Sequence, residues 1–273
     1  SGLPYVTMPL DKSVLDETNP SYLGLYIGKL GNPEIRDFVE SCDCILSIGT
    51  ILSDSNTGMF TAKLDKSRLI SIMPFDVHIE KADYTNLKMS DVLEELFTRV
   101  DKRTDINGPV VKSLTEPEVD TESPITSEYL YASYAKFFKP DDIIMVDSGT
   151  SFYGLLPVLL PRGAQFYSQI LWGAIGWATP ASFGAALAAP DRRVILITGE
   201  GAHQMTAQEI SQFYRYNLKP IVFVLNNQGY LIEKMLSKKM DYCYNYLAEW
   251  EYHKLPEVLG CNDWIMRKAT TCG

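Results

Sequence analysis

The spacing of apolar positions divides the chain into two regions in which helical and extended segments alternate. In the first region, "NPEIRDFVES" offers Asn32 as an N-cap and Pro33 at the first helical position, where a missing N–H costs nothing. The run "CILSIG" then reads as a buried strand and "RLISIM" as another, because short continuous apolar runs suit strands covered on both faces. From Ser90, "SDVLEELFTRV" begins with a capping residue and gathers Val92, Leu96 and Val100, with Leu93 and Phe97, on one helical side. This alternation predicts a parallel sheet with helices on its faces. The loop "GTILSDSNTG" lacks a G-x-G-x-x-G fingerprint and reads as structural.

Residues 102–124 are polar, contain three prolines and hold no sustained period. They read as a linker between one domain at 1–101 and a second at 125–273. Alternation then resumes with the helix "SEYLYASYAKFF", the strand "DIIMV", the loop "DSGTS" and the Gly/Ala-rich "GAIGWATPASFGAALAAP". The small residues there suit a helix that approaches a sheet or a partner helix closely. Arg193–Thr198, "RVILIT", and Ile221–Leu225, "IVFVL", are continuous apolar runs of the kind found in doubly covered strands. No internal repeat is evident. The fold class expected is α/β, two doubly wound domains with largely parallel sheets.

Between those last two runs lies a helix. Thr206 and Glu209 have the capping-box spacing, and Ile210, Phe213 and Tyr214 form its apolar stripe. Strand, helix, strand over this length makes a crossover, so the two strands are expected to be parallel and adjacent, with carboxyl ends at one sheet edge. Glu200 follows one strand and Asn226-Asn227 the other, so they converge where open α/β sheets bind ligands. A carboxylate, an amide oxygen and a main-chain carbonyl near Gly229 are hard donors suited to Mg²⁺ or Ca²⁺. Gly199 and Gly201 permit close backbone approach, and helix-start N–H groups suit phosphate oxygens. A metal bridging protein oxygens to a diphosphate joins these features, although Gly, Asn and acidic residues also build ordinary turns. A dinucleotide fold fails in detail, because Gln204 stands where the third glycine belongs, and there is no P-loop lysine.

Composition narrows the classes further. The hydrophobic fraction is 46% and the charged fraction 22%, as in ordinary globular chains. A net charge of −9 gives no broad basic surface, so no nucleic-acid partner is expected. No apolar run is long enough to cross a bilayer and no secretory leader is present, so the expectation is no membrane partner and a cytoplasmic location. The five cysteines lack zinc-site spacing and read as reduced thiols.

The acid between two glycines, followed about two dozen residues later by Asn-Asn, resembles the signature of thiamine diphosphate enzymes. "SQILWGAIGWATPASFGAALA", "VDSGTS" and "NNQGYLIEKML" narrow the resemblance to 2-oxo acid decarboxylases of the pyruvate and indolepyruvate type. It covers nearly the whole chain, with 1–101 similar to that family's middle domain and 125–273 to its diphosphate-binding domain. The resemblance implies a non-oxidative decarboxylase that converts a small-molecule 2-oxo acid to an aldehyde and carbon dioxide through the ylid of thiamine diphosphate. It implies Mg²⁺ held by Glu200, Asn227 and the carbonyl of Gly229. Thr150, Ala202, His203 and Ile232 fall at diphosphate contacts, with Ser148, Gly149, Gly199, Gly201 and Leu231 on the same turns. Ile175 matches the residue that bends the cofactor, Gly173 a main-chain contact to its aminopyrimidine, and Glu233 a catalytic acid. Without the motif, Glu233 reads as a solvated helix residue, Ile175 as core and His203 as a local hydrogen-bonding group.

Three departures stand against that pattern. The family usually carries Asp where this chain has Glu200; the expectation is that Glu200 still reaches the metal. The family's amino-terminal pyrimidine-binding domain, with its activating glutamate and paired histidines, is not in this sequence, nor is a further carboxyl-terminal segment. The chain alone is therefore expected to decarboxylate poorly, while its parent works as a homodimer or homotetramer. Phe152 falls near the family's substrate pocket, where a bulky ring favours a small 2-oxo acid. The alternative function is a noncatalytic cofactor-binding or assembly module on the same fold. The tyrosine-rich "MDYCYNYLAEWEY" is left open between an interface and a lid.

Overall fold

A computed structural model describes residues 2–273. The chain divides after Lys112 into two compact units, at a point inside the polar 102–124 stretch. Residues at the start of that stretch pack back onto the first unit, where the Leu23 and Val111 side chains crowd Gly108 and Gly24 respectively.

The first unit opens with a parallel pair, β1 (Tyr5–Thr7) and β2 (Tyr22–Leu25), followed by helix α1 (Pro33–Ser41). Asn32 caps α1 as its sequence suggests, with its side chain accepting from the Glu34 amide at 2.8 Å. The cluster of Met8, Tyr26, Ile35 and Val39 forms the core against which Val6, Phe38 and Ile45 pack. A second sheet holds β3 (Ile45–Ile48), β4 (Leu69–Ile72), β5 (Asp76–Ile79) and β6 (Ala82–Thr85) in that order. β3 and β4 are parallel, but β4, β5 and β6 form an antiparallel meander. β3 is not buried on both faces: its residues alternate, with Leu46 and Ile48 exposed. Helix α2 (Met89–Arg99) starts one residue before Ser90, whose hydroxyl donates to Asp91 rather than capping. Its apolar stripe is only partly covered: Val92, Leu93 and Leu96 are half-buried, and Phe97 is 84% exposed. An amphipathic pattern reports that a face exists, not that something lies over it.

The second unit is a four-stranded parallel sheet. Helix α3 (Ser127–Phe137) precedes β7 (Ile143–Val146); α4 (Thr150–Leu155), β8 (Gln165–Tyr167), α5 (Ala178–Ala188) and β9 (Val194–Gly199) follow. Then come α6 (Glu200–Thr206), α7 (Ile210–Arg215), β10 (Ile221–Leu225) and α8 (Leu231–Leu236). The order is β10-β9-β7-β8, and every neighbouring pair is parallel. β7 and β9 are the buried centre, whereas β10 lies at the edge and is only half-buried despite its unbroken apolar sequence. Helix α5 turns small residues inward, burying Ala178, Thr179, Ser182 and Ala186, so it lies close on β7 and β9. Taken together, the strand pairings of the molecule are mostly parallel, as an α/β chain requires.

The two ends of this sheet are finished differently. At its amino edge, Arg193 forms an ion pair with the buried Asp142 carboxylate at 2.6 Å, and Arg192 reaches the Asp141 carbonyl and Gln165 at 2.7 Å each. At the carboxyl edge the strands run directly into short helices. The expected Thr206–Glu209 capping box does not form, because the helix begins at Glu200 straight off β9. The Thr206 hydroxyl donates instead to the Gly176 carbonyl at 2.8 Å. All five cysteines are free thiols, and no described helix is long and apolar enough to cross a membrane.

Candidate functional site

Because the four strands of the second unit are parallel, their carboxyl ends share one edge. Every candidate site residue follows one of those ends. Ser148, Gly149 and Thr150 follow β7; Gly173 and Ile175 follow β8; Gly199 to His203 follow β9; Asn227 to Glu233 follow β10. The register couples the last two directly, with Gly199 opposite Leu225.

Glu200 is 2% exposed and its Oε1 accepts from the Gly229 amide at 2.5 Å. The two strand ends are thus joined by the acid whose position the spacing singles out. Gly229 has φ of +126°, and any side chain there would collide with the Asn245 carbonyl, so only glycine lets the β10 loop fold under the following segment. Asn227 lies exposed on that loop, Asn226 Oδ1 accepts from the Gln228 amide at 3.4 Å, and Lys234 Nζ donates to the Gln228 carbonyl at 2.6 Å. Leu231 and Ile232 are half-buried on α8, and Glu233 projects from it exposed.

His203 is 3% exposed, and its Nδ1 has no hydrogen-bond partner. Burial pushes its pKa down to about 4, so the ring is neutral near pH 7. The neighbouring Ala202 and Gly201 are buried as well. Space lies open above the backbone at Gly149, Gly173 and Gly199, where nothing stands within 4 Å of the position a Cβ would occupy. Ser148 Oγ donates to the Gln169 carbonyl at 3.1 Å and Tyr131 holds the Thr150 carbonyl at 2.9 Å, which fixes the β7 turn. The edge therefore combines an uncluttered row of backbone with a buried carboxylate and an unpartnered imidazole. Those donors fit a diphosphate: main-chain N–H groups and a neutral imidazole suit phosphate oxygens. Among the described residues no group of three or more His, Cys, Asp or Glu is arranged to hold a metal. A cation here would draw on one carboxylate, one carboxamide and one carbonyl instead.

Several residues beyond the expected set shape this edge. Asp147, at the end of β7, is 1% exposed and accepts from the Thr198 hydroxyl at 2.7 Å and the Ala178 amide at 3.1 Å. Burial raises its pKa, and the hydrogen bonds from Thr198, Ala178, Gly176 and Trp177 oppose that rise. Asn245 is fully buried, accepts from the Tyr230 amide through its carbonyl at 3.0 Å, and has neither side-chain polar atom partnered. The tyrosine-rich segment packs down on α6: Tyr252 lies edge-on to His203 and its hydroxyl meets Gln204 at 2.7 Å. Phe152 is 1% exposed and packs with Phe166 in the core, so its ring lends no support to a filter on substrate size. A groove of about 890 Å³ runs beside β10 with His203, Asn226 and Gln228 among its lining residues; none of Gly149, Gly173 and Gly199 borders it. The open glycine row, not that groove, gathers the candidate residues.

Comparison with known proteins bears on the family of the chain. Residues 152–271 match the family model for the thiamine pyrophosphate enzyme C-terminal TPP binding domain, and residues 1–96 match that for the thiamine pyrophosphate enzyme central domain. An alpha-keto-acid decarboxylase of Mycobacterium leprae is 35% identical over 99% of this chain and 48% of its own length. Pyruvate decarboxylase isozyme 1 of Saccharomyces cerevisiae is 35% identical, and a pyruvate decarboxylase of Candida albicans 36%, each over 99% of this chain and 49% of its own length. The chain spans about half the length of the curated relatives it matches.

Proposed function

Because this chain belongs to the thiamine pyrophosphate enzymes, carrying their central and TPP-binding domains, we propose that it is part of a non-oxidative 2-oxo acid decarboxylase that binds thiamine diphosphate at the carboxyl edge of its second sheet. The observation that carries this reading is the convergence of Glu200 and Gly229 beside the open backbone of Gly149, Gly173 and Gly199.

In this reading Ser148, Gly149 and Thr150, with Gly199, Gly201, Ala202 and His203 and with Leu231 and Ile232, would hold the diphosphate. His203 Nδ1 gains the partner it lacks. Glu200, Asn227 and the Gly229 carbonyl would hold Mg²⁺, with the Glu200 carboxylate giving up its bond to the Gly229 amide. Gly173 would meet the aminopyrimidine through its main chain, and Ile175 would pack against the cofactor. The bound cofactor supplies the electron sink that takes up the charge released when carbon dioxide leaves a 2-oxo acid, leaving an aldehyde. In this reading Glu233, exposed on α8, would hold a proton at its carboxyl oxygen and hand it on. A pyrimidine-binding domain completes the site from outside these two units, in a homodimer or homotetramer located in the cytoplasm.

Calorimetry of the chain with thiamine diphosphate and Mg²⁺ tests the reading. Saturable binding that needs the metal is expected; no binding of thiamine diphosphate at any Mg²⁺ concentration sinks it. Unchanged Mg²⁺ affinity in Glu200→Gln removes Glu200 from the ligand set. Binding without carbon dioxide release, once the pyrimidine-binding domain is supplied, moves the chain to a module that holds the cofactor without turnover.

A further inference from the structure

The β8–α5 connection carries the two residues assigned to the cofactor's aromatic end, yet neither is fixed by its own burial. Gly173 is exposed, and Ile175 is half-buried. The residues after Ile175, by contrast, are held from two sides. Gly176 has φ of +79°, its carbonyl accepts from Thr206 Oγ1 at 2.8 Å, and a Cβ on it would come within 2.9 Å of Met205 Cβ. On the other side stands Asp147. Its Oδ1 accepts from the Ala178 amide at 3.1 Å, and the amides of Gly176 and Trp177 face the same carboxylate and favour its charged form. Its Oδ2 accepts from Thr198 Oγ1 at 2.7 Å, and Thr198 belongs to β9 and is fully buried.

We infer that Asp147 is a positioning residue, whose buried carboxylate ties Gly176–Ala178 to the ends of β7 and β9 and thereby places Ile175 and Gly173 over the sheet edge. The inference rests on the thiamine diphosphate reading of that edge. The chemistry requires a carboxylate. All four groups that face it are donors, and an ionised carboxylate accepts at both oxygens while an amide turns one of them into a donor. The first turn of α5 leaves N–H groups without intrahelical partners, and an anion there is favoured by the helix dipole as well. Asp147 touches neither the diphosphate seat after β9 nor the loop after β10. Its main-chain bonds, to the Ile197 carbonyl at 3.1 Å and from Ser151 Oγ at 3.2 Å, do not involve its side chain, so the Ser148–Thr150 turn survives a change of that side chain.

Asp147→Asn separates positioning from bulk stability when affinity is measured by calorimetry for two probes, thiamine diphosphate and inorganic pyrophosphate, each with Mg²⁺. Affinity for thiamine diphosphate is expected to fall about tenfold, the scale of one lost hydrogen bond, while affinity for pyrophosphate stays within about twofold. Equal loss for both probes, or no loss for either, overturns the inference and leaves the functional reading standing. A wild-type chain that binds neither probe overturns the functional reading and the inference with it. If Asp147→Asn does not fold, Thr198→Val removes one donor from the same carboxylate. It is expected to show the same selectivity at about threefold, and an equal loss for both probes in that variant overturns the inference.

Discussion

The two units treat their buried polar groups in opposite ways. In the first, such groups find partners in the chain itself. Asn56 is fully buried, accepts from the Leu10 amide at 2.8 Å and donates to the Ile51 carbonyl at 2.7 Å. Lys12 and Glu17, each with a side chain 1% exposed, pair at 3.1 Å. In the second unit, His203 Nδ1 and both polar atoms of Asn245 are left without partners, and they sit beside the strand ends that gather the candidate residues. A buried polar group costs free energy unless it is bonded. The unbonded groups beside those strand ends are open to a ligand, as Tyr134 Oη, buried on α3 among Phe138 and Phe223, is not, whereas the first unit satisfies its own.

The largest effect that sharpens this contrast belongs to the buried ion pair. Lys12→Met removes the ammonium that pairs with the buried Glu17 carboxylate and is expected to cost the first unit about 3–5 kcal/mol. All four tryptophans, Trp172, Trp177, Trp250 and Trp264, lie in the second unit. Hydrogen exchange should therefore reveal the loss before residue 112, while the urea midpoint read by tryptophan fluorescence stays in place; an equal shift in both would erase the distinction.

Next comes acid. The folded pKa of His203 lies near 4, below its unfolded value of 6.5, so the unfolded chain binds the extra proton first. Stability from this group is complete above about pH 6.5 and is lost as pH falls toward 4, by about 3 kcal/mol in all. Urea denaturation at pH 7 and pH 4, followed by tryptophan fluorescence, should show that loss in the wild type and not in His203→Gln. A loss of the same size in both variants would assign it elsewhere.

Asn56→Ala tests the self-contained unit from its loop. Stranding the Leu10 amide and the Ile51 carbonyl is expected to cost about 2 kcal/mol without changing affinity for thiamine diphosphate. A changed affinity would mean that the loop after β3 takes part in the site. The smallest effect has the opposite sign. Asn245→Leu removes an unpartnered carboxamide and is expected to stabilise the unliganded chain by about 1 kcal/mol in thermal unfolding. A loss of 2 kcal/mol or more would show that Asn245 is bonded after all.

Three strands of the second unit, β7, β9 and β10, are legible in the sequence as unbroken apolar runs, each followed by a polar turn, whereas the short β8, Gln165–Tyr167, carries no such run. β9 and β10 pair as their sequences suggest, and Glu200 meets the β10 loop as the spacing requires. The less legible residues depend on partners distant in the chain. Asp147 bonds to Ala178 and Thr198, 31 and 51 positions away, and its only local signal is an acid that closes the run "DIIMV". Asn245 is hidden in a segment that reads as generic tyrosine-rich surface. Thr206 carries a sound capping pattern, but the nearby Gly176 carbonyl engages its hydroxyl. The stripe of α2 shows the same limit from the other side, since periodicity identifies an apolar face and not its cover.

The arginines at the amino edge of the second sheet carry a further consequence. Arg192 and Arg193 stitch β7, the start of β8 and the start of β9 to one another with charge-assisted bonds, far along the strands from the turns at their carboxyl ends. Opening fluctuations should therefore concentrate at the carboxyl edge, with slow amide exchange at one end of each strand and faster exchange at the other. Such a gradient lets the edge that meets a ligand loosen and re-form without unzipping the sheet. It also separates two kinds of engineering: changes at the arginine edge tune endurance, and changes at the glycine edge tune recognition.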